Sequence, residues 1–250
     1  MEQLTKEQIL KALGDSRFQL YGQPKWTFGK NTCNTYEVFP DLLLSPKQEP
    51  ILPADFLPVI FSDTQLTDAF GSWMLDRAFG DAKMLMKKLG VRLTVSMNIL
   101  GHQANQPEFL DRLRELMKKH DLSCHNVQFE LSEVQPLNQI GIDNFNRLRD
   151  ELGVRLILGN FGTGYSNIDI LRKIPFDIIE ISKEFIASIT DFDRDFRIVI
   201  SILEMAKVLD IEVCAKGIET AEQMEMLEDA GFKMGQGFLI GRPLPLDELY

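Results

Sequence analysis

Cysteine is scarce in this chain, and the three that occur, Cys33, Cys124 and Cys214, lie far apart without a C-x-x-C pair. An odd number of widely separated cysteines does not fit a disulfide framework or a zinc site. The three histidines also lack the spacing of a metal motif. We therefore expect reduced thiols, as in a cytoplasmic protein.

Positive charge and long apolar runs are scarce too. Lys and Arg total 27 against 37 Asp and Glu, a formal net charge of −10. Such an acidic chain is not expected to bind the phosphates of duplex nucleic acid directly. No apolar run reaches the roughly 20 residues that span a bilayer, and the N-terminus lacks the basic start of a signal peptide. These absences predict a cytoplasmic protein that does not bind a membrane.

What the chain does have is a regular alternation of short apolar runs and amphipathic stretches. The runs cover 91–99, 127–131, 154–158, 177–181, 212–215 and 233–239. Successive βα units with buried parallel strands produce this pattern. Together with a strand-like but irregular segment over 17–58, the pattern predicts an α/β fold, specifically a (β/α)8 TIM-like barrel.

The predicted domain organisation is simple. A single domain is expected over 1–250, with a short N-terminal helix at 5–14 and the barrel at about 17–245. Thr5 and Gln8 have the spacing of a capping box at the start of that helix. A length of 250 residues suits one barrel, so no separate sensor or output domain is expected.

Polar residues at the carboxyl ends of barrel strands are the candidate site, because chemistry in such barrels lies there. They are Glu37, Asn98, Glu130, Gly159, Asn160, Glu180, Ser182, Lys216, Glu219 and Gln236. Composition alone leaves two interpretations open: a metal or acid/base site, or the more common case of strand ends that are merely solvated. The glycine-rich turn after Asn160 is either a tight βα turn or an anion site at a helix N-terminus.

Nine short motifs occur in a specific order along the chain. They are FQLYGQP (18–24), EVF (37–39), LPADFLP (52–58), SMNI (96–99), FELSE (129–133), FGTGYS (161–166), PFD (175–177), GIET (217–220) and QGF through RP (236–243). In this order they resemble the EAL-domain family of cyclic di-GMP phosphodiesterases. The resemblance implies a barrel whose first strand is antiparallel. It also implies two Mg²⁺ or Mn²⁺ ions that support two-metal hydrolysis of a phosphodiester.

Some family positions are kept in this sequence. By the resemblance, Glu37, Asn98 and Glu130 match metal ligands, and Glu133 matches the glutamate that braces the glycine loop. Gln236 matches a glutamine of the family's site. The vestigial ligand-binding positions that the resemblance implies, whether kept or changed, are Gln23, Glu37, Phe39, Asp41, Gly162, Gly164, Gln236 and Gly237.

Other family positions have changed. Gly159 and Asn160 stand where the family has two metal-bridging aspartates. Glu180 replaces the catalytic lysine, Ser182 the aspartate that follows it, and Lys216 a glutamate. Two divalent ions need bridging anions between them, and these positions no longer supply any. We therefore expect a degenerate site that has no catalytic activity and no cofactor. Mg²⁺ or Mn²⁺ would be present only if the remaining ligands still bind it.

The changes also affect the expected binding of cyclic di-GMP. Asp41 stands where the family has an arginine that contacts a substrate phosphate, and Glu180 stands where it has a lysine. Like charges repel in a cleft, so the sequence predicts weak binding or none.

Glu180 and Lys216 exchange the signs that the family has at these positions. One interpretation is an ion pair retained between neighbouring strand ends, in which case a double charge reversal should leave stability unchanged. The alternative is independent drift in an idle site. Measured coupling between the two positions separates these interpretations.

Three functions follow from the sequence, in order of preference. The first is a catalytically inactive regulator that contacts another protein, such as a transcriptional regulator, in bacterial control of motility or biofilm formation. The resemblance includes degenerate members that work in this way. The second is a cyclic di-GMP receptor that does not hydrolyse its ligand, and the third is a phosphodiesterase with a rearranged metal site. Family members also form dimers through helices beside the glycine loop, so a homodimer is a further alternative.

Overall fold

Eight strands close into a barrel, and a short ninth strand pairs with the first. The computed structural model describes residues 4–30, 33–43, 49–131, 136–162, 168–191 and 193–249. The strands are β1 (Phe18–Thr27), β2 (Thr35–Leu42), β3 (Thr94–Ile99), β4 (Val127–Leu131), β5 (Arg155–Phe161), β6 (Ile178–Ile181), β7 (Glu212–Lys216), β8 (Met234–Gln236) and β9 (Leu244–Pro245).

The first strand is the exception in an otherwise parallel barrel. Strands β2 to β8 pair in parallel in chain order, whereas β1 is antiparallel to both β2 and β8 and closes the ring. The connection between Thr27 and Thr35 is too short for the crossover of a dozen or more residues that parallel neighbours need. The predicted TIM-like barrel with an antiparallel first strand is confirmed.

Ten α-helices accompany the strands in the described ranges. They are α1 (Lys6–Gly14), α2 (Pro53–Phe61), α3 (Thr64–Leu89), α4 (Gly101–Ala104), α5 (Phe109–Lys119), α6 (Gln139–Leu152), α7 (Ile168–Lys173), α8 (Lys183–Ile186), α9 (Asp193–Val208) and α10 (Ala221–Ala230). Thr5 caps α1, and its capping box with Gln8 is present as predicted. None of the helices described has the length and apolar character needed to cross a membrane.

Several details differ from the sequence prediction. The segment predicted to be strand-like contains α2, which begins at Pro53 because proline is favoured in the first helical turn, where its missing N–H is not needed. The last apolar run, predicted over 233–239, forms a strand only at Met234–Gln236. Phe56 of α2 packs with Phe18 and Phe70 in a small apolar cluster beside the barrel.

Strand alternation separates an apolar outer layer from a polar interior. On β3, Val95, Met97 and Ile99 pack into the main apolar core with the helices. The alternate residues Ser96 and Asn98 belong to the opposite face of the strand, which points into the barrel. The same period of two brings the polar side chains of the other strands to the barrel interior.

Candidate functional site

Five charged side chains from five strands meet inside the barrel. They are Lys25 of β1, Glu37 of β2, Glu130 of β4, Glu180 of β6 and Lys216 of β7, and we call them the ionic cluster. Glu180 is 0% exposed and Glu130 is 1% exposed. Charged groups this deep are stable only when they are paired, so the cluster must be understood as one unit.

The ammonium group of Lys216 lies at the centre of the three glutamates. Its Nζ is 2.9 Å from Glu37 Oε2, 2.9 Å from Glu180 Oε2 and 3.6 Å from Glu130 Oε1. Each of these glutamates offers a carboxylate oxygen within 4.8 Å of the other two, a grouping that could hold a metal ion. In this protein a lysine side chain supplies the positive charge there. The predicted ion pair between Glu180 and Lys216 is therefore present, but it is part of a larger set.

Lys25 supplies the second buried ammonium group. It donates to Ser96 Oγ at 3.0 Å, forms an ion pair with Glu180, and lies 3.9 Å from Glu130 Oε2. Lys25 was not among the residues predicted for the site. The available signal was its position two residues after Gln23 on the same strand, because residues two apart share a face and Gln23 was already assigned to the site.

The two ammonium groups and the burial of the cluster shift its carboxyl groups in opposite directions. Burial opposes the ionisation of Glu180, but Lys216 and Lys25 outweigh it and lower the pKa of Glu180 to about 2. Burial raises the pKa of Glu130 to about 8, and the charge of Glu180 adds to that rise. Lys216 and Lys25 lower the pKa of Glu37 against the effect of its burial. The ammonium groups therefore favour the ionised forms of Glu37 and Glu180, while burial and the neighbouring carboxylate favour the protonated form of Glu130.

The residues present do not fit a centre with two divalent cations. Glu130 fills the space beside Gly159, where an added Cβ would lie 2.1 Å from Glu130 Oε1. Asn160 adopts a left-handed backbone conformation with φ of 48°, and its side chain carries no charge. Ser182 is fully buried, and its hydroxyl accepts a hydrogen bond from the N–H of Glu184 at the start of α8. Neither Asn160 nor Ser182 supplies a bridging anion.

A cavity of about 490 Å³ lies above the cluster, at the carboxyl ends of the strands. Its lining residues are Gln23, Asn160, Lys183, Glu184, Lys216, Gly217, Glu219, Gln236, Gly237 and Phe238. Gln236 is 2% exposed, and neither atom of its amide has a hydrogen-bond partner among the described residues. Gln23 donates to the carbonyl oxygen of Gly241 at 3.0 Å. The cavity therefore has a polar floor with unused hydrogen-bonding capacity.

Main-chain contacts join the loops after β7 and β8 at this cavity. The N–H groups of Gly217 and Ile218 both donate to the carbonyl oxygen of Gln236, at 2.8 Å and 3.0 Å. An added Cβ at Gly237 would lie 2.0 Å from the carbonyl oxygen of Ile218, so this close approach requires glycine. The backbone therefore fixes the position of Gln236.

The charges that face the cavity differ from those predicted. Glu180 was expected to meet a ligand phosphate, but it is fully buried beneath Lys216 and does not line the cavity. The predicted repulsion between Glu180 and an anionic ligand is therefore wrong. Of the ionic cluster, Lys216 is the member that lines the cavity. Asp41 is 5% exposed and is not among the lining residues described, and burial raises its pKa to about 6.

The other predicted positions have varied surroundings. Phe39 stacks on Tyr21 with ring centroids 6.5 Å apart, and Asn98 is paired in register with Glu130. Gly162 has a φ of +95°, a conformation that favours glycine. Glu133 and Gly164 lie outside the described residues.

Comparison with known proteins identifies the family. The EAL domain family matches residues 6–243. An uncharacterized signaling protein of Caulobacter vibrioides is 35% identical over 206 residues, covering 82% of this chain and 25% of that protein. Cyclic di-GMP phosphodiesterase NbdA of Pseudomonas aeruginosa is 30% identical over 246 residues, covering 98% of this chain and 31% of NbdA. This chain thus spans less than a third of the length of either relative.

A solved structure agrees with the sequence comparison. The structure of the PaMucR phosphodiesterase in complex with c-di-GMP matches with a TM-score of 0.87 at 26% identity, over 98% of both chains. The ordered motifs, the antiparallel first strand and the match over nearly the whole chain agree with one another. This chain belongs to the EAL-domain family.

Proposed function

We propose that this EAL domain does not hydrolyse cyclic di-GMP and acts as a regulatory domain in cyclic di-GMP signalling by contacting another protein. The loss of hydrolysis is supported by the position of Lys216 Nζ, which lies 2.9 Å from both Glu37 and Glu180. Two-metal hydrolysis needs carboxylates that hold and bridge cations. Here those carboxylates are engaged by ammonium groups, which cannot generate a hydroxide at neutral pH.

A hydrolysis assay tests the loss of catalysis. The domain is incubated with cyclic di-GMP and either Mg²⁺ or Mn²⁺, with NbdA as the positive control, and the linear dinucleotide is measured. We expect no product above the level of a sample without protein. Product that increases with protein concentration and disappears in Glu37→Gln would overturn the proposal in favour of a phosphodiesterase with a rearranged site.

Exposed apolar residues on the segment after β8, one of which lines the cavity, support a protein contact, and we call them the rim. Phe238, Leu239 and Leu244 are 50%, 43% and 43% exposed, and the Arg242 guanidinium lies 4.5 Å from the centre of the Phe238 ring. Aromatic and arginine side chains are enriched where proteins bind one another. The partner class that we propose is a transcriptional regulator in the cytoplasm, where the three free cysteines would stay reduced.

Cross-linking in the source cell, followed by mass spectrometry, tests this contact. A regulator that cross-links to the wild type, binds the purified domain, and loses binding in Phe238→Ser with Leu239→Ser would support the proposal. Val208→Ser is the matched control, because Val208 is an exposed apolar residue at the end of α9, distant in sequence from the rim and from the glycine loop. Sedimentation of the purified domain separates this result from self-association. A homodimer that forms through the rim and leaves no face for a regulator would contradict it.

A cyclic di-GMP receptor is the second candidate, and the cavity favours it. The buried amide of Gln236 has no partner among described residues, and Lys216 lines the same space. Calorimetry with cyclic di-GMP tests the idea. A dissociation constant below about 10 μM, near −7 kcal/mol, that weakens in Gln236→Leu but not in the exposed control Gln139→Leu would establish a receptor.

A further inference from the structure

We infer that the Lys216 ammonium group is a built-in substitute for a divalent cation, so that this barrel excludes Mg²⁺ and Mn²⁺ and would bind one of them once the ammonium is removed. The inference goes beyond the proposed function, because a domain without hydrolytic activity could still bind a metal ion. It concerns one position, the space enclosed by Glu37, Glu130 and Glu180.

The geometry is that of an occupied cation position. Three carboxylate oxygens lie within 4.8 Å of one another, and Lys216 Nζ contacts two of the glutamates at 2.9 Å and the third at 3.6 Å. A contact near 2.9 Å is typical of ammonium with carboxylate, whereas Mg²⁺ holds oxygen at about 2.1 Å. The carboxylates are therefore spaced for an ammonium group, and a metal ion could enter only if that group left.

The two lysines of the cluster differ in how accessible they are to a cation from solvent. The side chain of Lys25 is 3% exposed and is held by Ser96 and Glu180 at the inner side of the cluster. The side chain of Lys216 is 17% exposed and lines the cavity. A cation arriving from solvent would therefore meet Lys216 first, and Lys216 is the residue that blocks its position.

The charge balance leads to the same conclusion. Without Lys216, the cluster would contain the ammonium of Lys25 and the three glutamates. With all three glutamates ionised, these groups carry a net charge of −2, which one divalent cation neutralises. Hard cations such as Mg²⁺ and Mn²⁺ prefer oxygen ligands of this type. A second cation has no further carboxylate among these residues, so the expected stoichiometry is one.

Titration with Mn²⁺ tests the inference, with binding followed by electron paramagnetic resonance and by the midpoint of thermal unfolding. The variants are Lys216→Ala and the control Lys183→Ala, which removes an exposed lysine from the same cavity. We expect Lys216→Ala to bind one Mn²⁺ about a hundredfold more tightly than the wild type, because a unit positive charge is removed from the ion's immediate surroundings. Its unfolding midpoint should rise with Mn²⁺, while Lys183→Ala should behave as the wild type does.

The opposite results are equally definite. A folded Lys216→Ala that binds Mn²⁺ no better than the wild type overturns the inference. Lys216→Gln provides a second variant, in which a neutral amide replaces the ammonium with less loss of packing. Titration of the wild type is a further test. If the wild type binds one Mn²⁺ and Glu37→Gln loses that binding, the inference is wrong. If the wild type does not bind Mn²⁺, the inference is supported. Hydrolysis by the wild type would instead refute the proposed function.

Discussion

The barrel has two buried regions that are stabilised by different interactions. Outside the strands, side chains such as Phe145, Leu148 and Phe176 form an apolar core with the helices. Inside the barrel, Lys25, Glu180 and their partners form a core of charges. The apolar core is stabilised by the area that it removes from water, without directional requirements. The ionic cluster is stable only while its charges match, so a change at one residue affects every other member.

Burial alone therefore does not identify the role of a residue in this barrel. Leu148 and Glu180 are both fully buried, yet neighbours can relax partly into the space left by a smaller Leu148, whereas no movement replaces a missing charge. The two regions should therefore respond differently to substitution, to pH and to cations.

The largest effect is expected from exchanging the charges of Glu180 and Lys216. In the double variant Glu180→Lys with Lys216→Glu, the new lysine would lie against Lys25, and the new glutamate would join Glu37 and Glu130. We therefore expect a loss of at least about 3 kcal/mol in the free energy of unfolding, measured in urea with EDTA. This differs from the sequence-based expectation for a simple ion pair, in which the exchange is neutral. A double variant within about 0.5 kcal/mol of the wild type would show that the pair is independent of its neighbours.

A truncation in the apolar core should cause a similar loss of stability, but that loss should not depend on pH or on cations. We expect Leu148→Ala to lower the free energy of unfolding by about 3 kcal/mol, because it leaves a cavity in the core. The loss should be the same from pH 5 to pH 9 and unaffected by Mn²⁺. Ile140→Ala is the control, since Ile140 is 41% exposed on the same helix. A loss that varies with pH would mean that the two regions are coupled.

Asp41 offers a smaller effect with a defined pH dependence. Its pKa of about 6 in the folded protein exceeds the value near 3.9 of an unfolded aspartate, so the folded state holds its proton more tightly. The stability contributed by that proton is present below about pH 4 and is lost as pH rises through 6. Asp41→Asn should therefore be more stable than the wild type at pH 7, by about 2 kcal/mol, and equal to it near pH 4. Asp150→Asn, at an exposed site on α6, is the matched control.

The smallest effect is expected at an ion pair on the surface. Arg147 and Glu151 are one helical turn apart on α6, and their side chains are 47% and 39% exposed. Water screens such pairs, so Arg147→Ala should leave the unfolding midpoint within the scatter of replicate curves. A clear loss of stability in Arg147→Ala would contradict the prediction that buried charges contribute more to stability than exposed ones.

Much of the fold could be predicted from the sequence because it depends on periodic patterns. The βα alternation and the capping box at Thr5 were sufficient for the barrel and for α1. The helix at Pro53 was missed, because the prolines in this segment also suit an irregular chain. Those residues fold as a helix where Phe56 can pack against Phe18.

The candidate site was predicted less completely than the fold. Glu37, Glu130, Glu180 and Lys216 were all expected at strand ends, and the structure brings them together. Lys25 was not expected, although the period of two on β1 places it on the same face as Gln23, because its charged partners lie on other strands. The burial of Glu180 beneath the cavity was missed too, because how far an inward-facing residue lies below the barrel mouth depends on strand tilt and register, which sequence spacing does not give.

The main-chain bonds between Gly217, Ile218 and Gln236 bear on how this domain could change over evolutionary time. They fix the outline of the cavity through main-chain atoms, whereas the charge at its floor comes from side chains. Substitutions at the floor therefore change the charge of the cavity without removing the hydrogen bonds that join its walls. Because the charges of the ionic cluster must match, such a change requires matching substitutions at several positions.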